Sequence, residues 1–241
     1  MAKQLNVLIT GANRGIGLAL TRAYLERGDR VAATCRHPAK ASDLHALKDT
    51  FRDDLLVLRM DVNVGRSVLA GAEDTEEHFP RLDVLINNAG ISPGRAQDGL
   101  EALEMTQVRD AFETNAVGPL RTTRAFLSLL RKGKTPRVIN ISSGIGSLTR
   151  KPPERHLFYA YAGSKAALNM FTRITAAEFR EQGICIVAVT PGWVRTDMGG
   201  AEAQLDPATV AGELVESIDT LTMEHTSLWL DRHGKVSDFA W

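Results

Sequence analysis

The chain lacks features that several classes of protein require. It has two cysteines among 241 residues, both in runs that indicate buried strands, so we expect free thiols and no disulfide framework. No Cys/His cluster has the spacing of a zinc site, and we expect no metal. The 29 basic and 29 acidic side chains balance without a basic stripe, which argues against nucleic acid or a membrane as a partner. With no membrane-length apolar run and no signal-peptide core, the expected compartment is the cytoplasm.

What the sequence does contain is an alternation of short Val/Ile/Leu-rich runs with longer amphipathic segments. This alternation predicts an α/β protein with a single Rossmann-type, doubly wound parallel sheet of about seven strands flanked by helices. We expect one domain over residues 1–241, with ligands at the carboxyl ends of the strands. The predicted strands are Asn6–Thr10, Arg30–Cys35, Leu55–Met60, Val84–Asn87, Arg137–Ile141, Ile184–Thr190 and Ser227–Leu230.

A glycine-rich turn joins the first predicted strand to the first predicted helix. It places Gly11, Gly15 and Gly17 in the spacing G-x-x-x-G-x-G. Glycine lets the backbone approach a phosphate closely, and the free N–H groups at the start of a helix favour an anion. Similar turns also occur as plain structure. The turn alone therefore leaves open whether it binds the pyrophosphate of a dinucleotide.

The end of the second predicted strand lies about 20 residues beyond the glycines. In dinucleotide-binding folds this position contacts the adenosine ribose. It carries Arg36 and no carboxylate. An acidic residue there would bind a free 2′-hydroxyl, whereas Arg36, with Arg14 from the glycine turn, suits a 2′-phosphate. If the turn binds a dinucleotide, these arginines favour NADP(H), although both could also be solvated surface charges. Asp61 ends the third strand and is a candidate for the adenine amino group or a cap for the next helix.

Tyr161 and Lys165 lie four residues apart in a segment with one apolar helical face, so their side chains share one side of a helix. A free phenol has a pKa of about 10 and exchanges protons poorly at neutral pH. The ammonium group of Lys165 is expected to stabilise the phenolate and to lower that pKa. Tyr159, two residues earlier, has no lysine four positions on. A lone Y-x-x-x-K spacing also arises by chance in ordinary amphipathic helices.

Six motifs occur in order along nearly the whole chain: Thr10–Gly17, Asn87-Asn88-Ala89-Gly90, Asn115, Asn140-Ile141-Ser142-Ser143, Tyr161-to-Lys165 and Pro191-Gly192. Together they resemble the short-chain dehydrogenase/reductase family. Within it, the segments Ala33-Thr34-Cys35-Arg36 and Pro191–Gly200 and the short aromatic tail are similar to the C-factor and sniffer-like carbonyl reductase group.

The resemblance implies a role for each catalytic candidate. Tyr161 would be the general acid in carbonyl reduction, or the base in alcohol oxidation. Ser143 would hold the substrate oxygen; its neighbour Ser142 points to the opposite face of the strand. Lys165 would also bind the nicotinamide ribose, and the backbone of Asn115 would hold a water of a proton relay. Each of these residues, taken alone, is more often structural.

The resemblance also implies which residues hold NADP(H), whose nicotinamide supplies the hydride. The expected cofactor-binding residues are Gly11, Asn13, Arg14, Gly15, Ile16, Gly17, Arg36, Asp61, Val62, Asn88, Ala89, Gly90, Tyr161, Lys165, Pro191, Gly192, Val194 and Thr196.

The expected function is reduction of an aldehyde or ketone with NADPH, or the reverse oxidation of an alcohol. The alternative is a dinucleotide-sensing signalling or regulatory protein that resembles C-factor. Relatives form homodimers or homotetramers through the helix of Tyr161 and a long preceding helix, Ala111–Leu130. On these helices Ala125, Leu129 and Met170 are interface candidates, although they could as easily be core.

Two segments bear on the substrate, which the sequence does not identify. Residues 150–156 lengthen the connection between Ser143 and Tyr161 beyond the family's usual spacing. Residues 196–206, with Gly199 and Gly200, suggest a lid that closes over the ligand.

Overall fold

Seven apolar runs form one parallel sheet in the computed structural model, which describes residues 4–93, 99–149, 158–238 and 241. The strands are almost wholly buried because helices cover both faces, which is why they carry continuous apolar runs rather than an alternating pattern. Their bounds are β1 Asn6–Thr10, β2 Arg30–Cys35, β3 Leu55–Arg59, β4 Val84–Asn87, β5 Arg137–Ile141, β6 Cys185–Thr190 and β7 Trp229–Asp231. The predicted fold class is confirmed.

The strand order in the sheet is β3-β2-β1-β4-β5-β6-β7. The chain builds outward from β1 in one direction, then returns to the other side of β1 and builds outward again. The order therefore reverses between β1 and β4, where the connections leave in opposite directions and a crevice opens at the carboxyl ends of the strands. The glycine turn after β1 and the segment Asn88–Gly90 after β4 flank that crevice.

Two hydrophobic cores cover the two faces of the sheet. On one face Leu20 and Tyr24 of the first helix pack with Val210 and Leu214 of the last. The opposite core includes Phe79, Phe126 and Phe179. The helices are α1 Gly15–Glu26, α2 Ser42–Phe51, α3 Gly65–His78, α4 Met105–Phe112, α5 Gly118–Ala125, α6 Leu127–Arg131, α7 Tyr159–Phe179 and α8 Pro207–Thr220.

The long helix expected over Ala111–Leu130 is not one regular helix. A π-helical turn, Glu113–Val117, separates α4 from α5, and a short break at Phe126 precedes α6. Leu129 is 1% exposed and belongs to the core of this chain, so its assignment to an interface is wrong and the alternative of a core position holds. Ala125 is partly buried against the same core.

The two loop predictions, the longer loop and the lid, stay predictions. Residues 150–156, expected to lengthen a loop, lie outside the described residues. The segment 196–206 ends at Asp206, which caps α8 by accepting hydrogen bonds from the backbone N–H groups of Ala208 and Thr209.

Among the described residues, no helix is both long and apolar enough to cross a membrane.

Candidate active site

A large cleft opens at the carboxyl ends of the strands, around the reversal of strand order. Its volume is about 1460 Å³, which exceeds the ~300–1,000 Å³ usual for small-ligand pockets. The loops after β1, β2, β3, β4, β5, β6 and β7 and the first turns of α7 all contribute to its wall. The cleft therefore has room for a dinucleotide and a second, smaller molecule.

The glycine turn forms one wall of the cleft, and close packing explains its composition. Gly11 has a φ of +65°, and a Cβ there would lie 2.9 Å from the Cα of Ala89. Gly17 lies behind the turn: its Cβ would meet the carbonyl oxygen of Gly11 at 2.4 Å and Nδ2 of Asn88 at 2.5 Å. A side chain at either position would thus push the turn away from the loop after β4.

Asn88 ties the loop after β4 to the glycine turn. Its Nδ2 donates to the carbonyl oxygens of Thr10 and Gly11 at 2.9 and 3.1 Å. The hydroxyl of Thr10 in turn accepts from the backbone N–H groups of Asn88 and Ala89, both at 3.0 Å. These bonds link the two sides of the crevice and hold the glycine turn against the loop after β4.

Two arginines stand where the sequence places them. Arg36 follows β2 and lines the cleft, as does Arg14 at the start of α1. Arg14 is already paired, because its NH1 lies 2.9 Å from Oδ2 of Asp197.

Asp61 also lines the cleft and accepts a hydrogen bond from the backbone N–H of Asn63 at 3.0 Å. Asp61 does not cap α3, whose N-cap is Val64. The alternative that Asp61 caps the helix after the third strand is therefore wrong.

Tyr161, Lys165 and Ser143 meet on the opposite wall of the cleft. Ser143 follows β5 and hydrogen-bonds the Tyr161 side chain. Lys165 lies one helical turn after Tyr161, with its Nζ 5.6 Å from the centre of the phenol ring. That Nζ donates to the carbonyl oxygen of Ile141 at 2.7 Å. Ser142 does not share this role, because its hydroxyl donates to Oδ1 of Asn169 at 2.5 Å.

Asn115 sits behind this group, in the π-helical turn, and is fully buried. Its Oδ1 accepts from the backbone N–H of Ile91, and its Nδ2 donates to the carbonyl oxygen of Ile91, both at 2.8 Å. The same Nδ2 donates to the hydroxyl of Ser164 at 2.9 Å, and Ser164 donates to the carbonyl oxygen of Tyr161 at 2.8 Å. Asn115 therefore joins the loop after β4 to the helix that carries the tyrosine and the lysine.

Burial controls the proton affinities of the tyrosine and the lysine. Desolvation raises the pKa of Tyr161, and the hydrogen bond from Ser143 opposes that rise without cancelling it. Desolvation lowers the pKa of Lys165 from 10.5 to about 8. In the protein itself the pKa of the phenol is thus raised, whereas the spacing of Tyr161 and Lys165 predicts a lowered pKa. The physical reason is that burial removes the hydration of the phenolate, while Lys165 directs its hydrogen bond to Ile141.

The structure brings nearly all the predicted site residues to one cleft. The exceptions among the described residues are Gly17, which lies behind the turn, and Asn115, which lies behind the catalytic group. The predicted residues that line the cleft are Gly11, Asn13, Arg14, Gly15, Ile16, Arg36, Asp61, Val62, Asn88, Ala89, Gly90, Ser143, Tyr161, Lys165, Pro191, Gly192, Val194 and Thr196.

Sequence reasoning missed the apolar rim of the cleft. Leu148, Tyr159, Trp193 and Met198 line it and are large exposed apolar side chains. Trp193 is held in place because its Nε1 donates to the carbonyl oxygen of Gly199 at 2.8 Å. These residues come from two loops and the start of α7 and follow no common spacing. Only Trp193 and Met198 fall within a motif that the sequence singled out, Pro191–Gly200.

Residues 5–206 match the family model described as short chain dehydrogenase. The chain therefore belongs to the short-chain dehydrogenase/reductase family, as its motifs predict, and it is an oxidoreductase. That match includes both walls of the cleft, from the glycine turn to the segment after β6.

Individual relatives agree with the narrower group that the motifs indicate. The NADPH-bound carbonyl reductase from chicken fatty liver is 32% identical, with a TM-score of 0.92 over 99% of this chain and 100% of that one. The carbonyl reductase Sniffer of D. melanogaster has the same identity, coverage and TM-score. C-signal of Myxococcus xanthus is 42% identical over 154 residues, which are 64% of this chain and 90% of that protein.

Proposed function

We propose that the protein is an NADP(H)-dependent carbonyl reductase, which reduces an aldehyde or ketone to an alcohol or catalyses the reverse. The observation that carries this proposal is the group of Ser143, Tyr161 and Lys165 on one wall of a cleft whose other wall is a phosphate-binding type of glycine turn. Bound NADPH supplies the hydride. Solved relatives of the same fold contain NADPH or NADP.

The residues around the glycine turn fit this cofactor. A Cβ on Gly11 would lie 2.9 Å from the Cα of Ala89, so glycine there keeps the turn packed on the loop after β4, in a shape that presents backbone N–H groups to a pyrophosphate. Arg36 stands at the end of β2, where an acidic residue would repel a 2′-phosphate. We assign Arg36 and Arg14 to that phosphate, the turn from Gly11 to Ile16 to the pyrophosphate, and Val194 and Thr196 to the nicotinamide side.

Tyr161 is the proposed proton donor to the substrate oxygen. The phenol is protonated at neutral pH, because its ordinary pKa is about 10 and burial raises it further; it donates the proton as negative charge develops on that oxygen. Ser143 hydrogen-bonds the same oxygen and positions it. Lys165 keeps a positive charge below a pH of about 8, which favours the phenolate left after the transfer. The apolar rim of Leu148, Tyr159, Trp193 and Met198 favours a carbonyl compound with apolar substituents.

The experiment that tests this function compares Tyr161→Phe with Tyr159→Phe. NADPH consumption is followed by absorbance with a panel of aldehydes and ketones, and nucleotide binding is measured separately by calorimetry. Tyr161→Phe is expected to bind NADPH normally and to lose reduction. Tyr159→Phe, a matched change two residues away on the rim, is expected to keep a large part of the activity. Full activity of Tyr161→Phe would refute the assigned acid.

A second candidate is nucleotide-dependent signalling, which the 42% identity with C-signal favours. In a genetic assay, a signalling role that needs only the bound nucleotide would survive Tyr161→Phe and would be lost when the glycine turn is disrupted. Retention of Ser143, Tyr161 and Lys165 in one group supports the enzyme instead.

We also propose one domain over residues 1–241, a cytoplasmic location and a homodimer or homotetramer. The single sheet supports the first proposal, and two buried free thiols support the second. For the third, Met170 and Ile174 on α7 are 49% and 55% exposed, which provides an apolar helix face for a second copy. Light scattering that finds only monomers at working concentration would refute the third proposal.

A further inference from the structure

An ion pair spans the mouth of the cleft and joins the cofactor side to the loop that follows β6. NH1 of Arg14 lies 2.9 Å from Oδ2 of Asp197. The two side chains are 66% and 76% exposed, and both line the cleft. The pair is therefore accessible to solvent and to a ligand in the cleft.

The loop that carries Asp197 has its own internal bonds, which constrain its backbone beside the glycine turn. The backbone N–H of Gly199 donates to Oγ1 of Thr196 at 3.1 Å, and that of Gly200 donates to the carbonyl oxygen of Thr196 at 2.8 Å. The loop also rests against the glycine turn, since a Cβ on Gly15 would lie 3.1 Å from Cγ2 of Thr196. Asp197 thus stays beside the cation that we assign to the 2′-phosphate.

When NADP(H) is bound, the carboxylate of Asp197 and the 2′-phosphate both require the guanidinium of Arg14. A phosphate monoester carries about −1.5 to −2 charges at pH 7, and like charges a few ångströms apart repel even in a solvated site. If the phosphate binds Arg14, Asp197 either loses its partner or stays next to the phosphate. Both outcomes cost binding free energy that a nucleotide with a free 2′-hydroxyl does not lose.

We propose that Asp197 competes with the 2′-phosphate of NADP(H) for Arg14 and is a specificity-determining residue of the cofactor site. It weakens NADP(H) binding, leaves NAD(H) binding unchanged and speeds release of the phosphorylated nucleotide. The inference rests on the proposed function, because it needs NADP(H) in the cleft with its phosphate beside Arg14. It assigns Asp197 no contact with the substrate.

Isothermal titration calorimetry with NADPH and with NADH tests the inference without relying on activity. The variant is Asp197→Asn, which keeps size and polarity and removes the charge. Its Kd for NADPH is expected to fall about two- to fivefold, the range that exposed ion pairs contribute, while its Kd for NADH stays constant. Glu202→Gln is the matched control: Glu202 is an exposed acid of the same loop and is not among the described residues that line the cleft. That change is expected to leave both constants as they are.

The same substitution in an Arg14→Ala chain tests the competition itself. There Asp197→Asn is expected to gain less NADPH affinity than it does when Arg14 is present. An equal gain in both chains would overturn competition in favour of simple repulsion. An unchanged or weaker NADPH affinity in the single variant would overturn the inference outright. Failure of the unaltered chain to bind NADPH more tightly than NADH would instead refute the choice of cofactor.

Discussion

Replacing Lys165 by methionine is expected to stabilise the fold and to abolish reduction. Lys165 is 5% exposed, and its burial lowers its pKa to about 8. A buried ammonium is unfavourable for folding because the charge loses its hydration. Methionine has a similar length and no charge, so it can fill the same space without that cost.

The magnitude follows from the pKa and one hydrogen bond. The difference between 10.5 and about 8, at about 1.4 kcal/mol per pH unit, gives a cost of about 3 kcal/mol for the charged form at pH 7. The variant loses the bond from Nζ to the carbonyl oxygen of Ile141, which offsets about 1 kcal/mol. A net gain of about 2 kcal/mol corresponds to a rise in Tm of about 4–8 °C for a domain of this size.

The pH dependence of the unfolding free energy shows whether the buried charge of Lys165 causes the difference in stability. Between a pH of about 8 and 10.5 the unfolded lysine binds more protons than the folded one, so the unfolding free energy of the unaltered protein rises with pH across that window. The advantage of the methionine variant should therefore be full at pH 7 and much smaller at pH 9.5. Urea unfolding followed by circular dichroism measures both values, with Lys134→Met, at an exposed lysine, as the control. A variant that is less stable at pH 7, or whose advantage is independent of pH, would refute the reasoning.

Two further predictions concern the side of the cleft that is formed by the glycine turn and the end of β2. Arg36→Ala is expected to weaken NADPH binding about tenfold, the scale of one charge-assisted contact, and to leave NADH binding unchanged; equal losses for both nucleotides in a titration would contradict the assignment. Gly17→Ala is expected to lower the midpoint of urea unfolding sharply, because its Cβ would lie within 2.5 Å of Asn88 and the carbonyl oxygen of Gly11. A normal unfolding midpoint with lost nucleotide affinity would instead make Gly17 a ligand contact.

The strands could be read from the sequence because parallel strands covered on both faces are continuous apolar runs. The ends of three strands differ from the prediction: β3 ends at Arg59 rather than Met60, β6 begins at Cys185 rather than Ile184, and β7 covers Trp229–Asp231 rather than Ser227–Leu230. They differ because hydrogen bonds to the neighbouring strand set a strand's ends. Composition near the ends carries little information about that pairing.

The helices before β5 show what the pattern could not predict. The resemblance to the family predicts one long helix over Ala111–Leu130, yet the backbone widens into a π-turn at Glu113–Val117. Within this turn Asn115 forms side-chain hydrogen bonds with Ile91, 24 positions away, and such bonds have no local signature. The same limit explains Leu129, because its apolar character is equally consistent with a core and with an interface.

The proton affinity of Tyr161 depended on burial, which the sequence does not give. From spacing alone, a lysine four residues away argues for a lowered phenol pKa; in the folded chain, desolvation wins and the pKa rises. The lysine is subject to the same desolvation, so its charge becomes conditional on a pH below about 8. A protonated phenol next to a lysine that is still charged is the state that carbonyl reduction requires at neutral pH. Because an ordinary phenol is also protonated at neutral pH, burial makes Tyr161 a weaker acid, and the charge on Lys165 is what favours the phenolate once the proton has left.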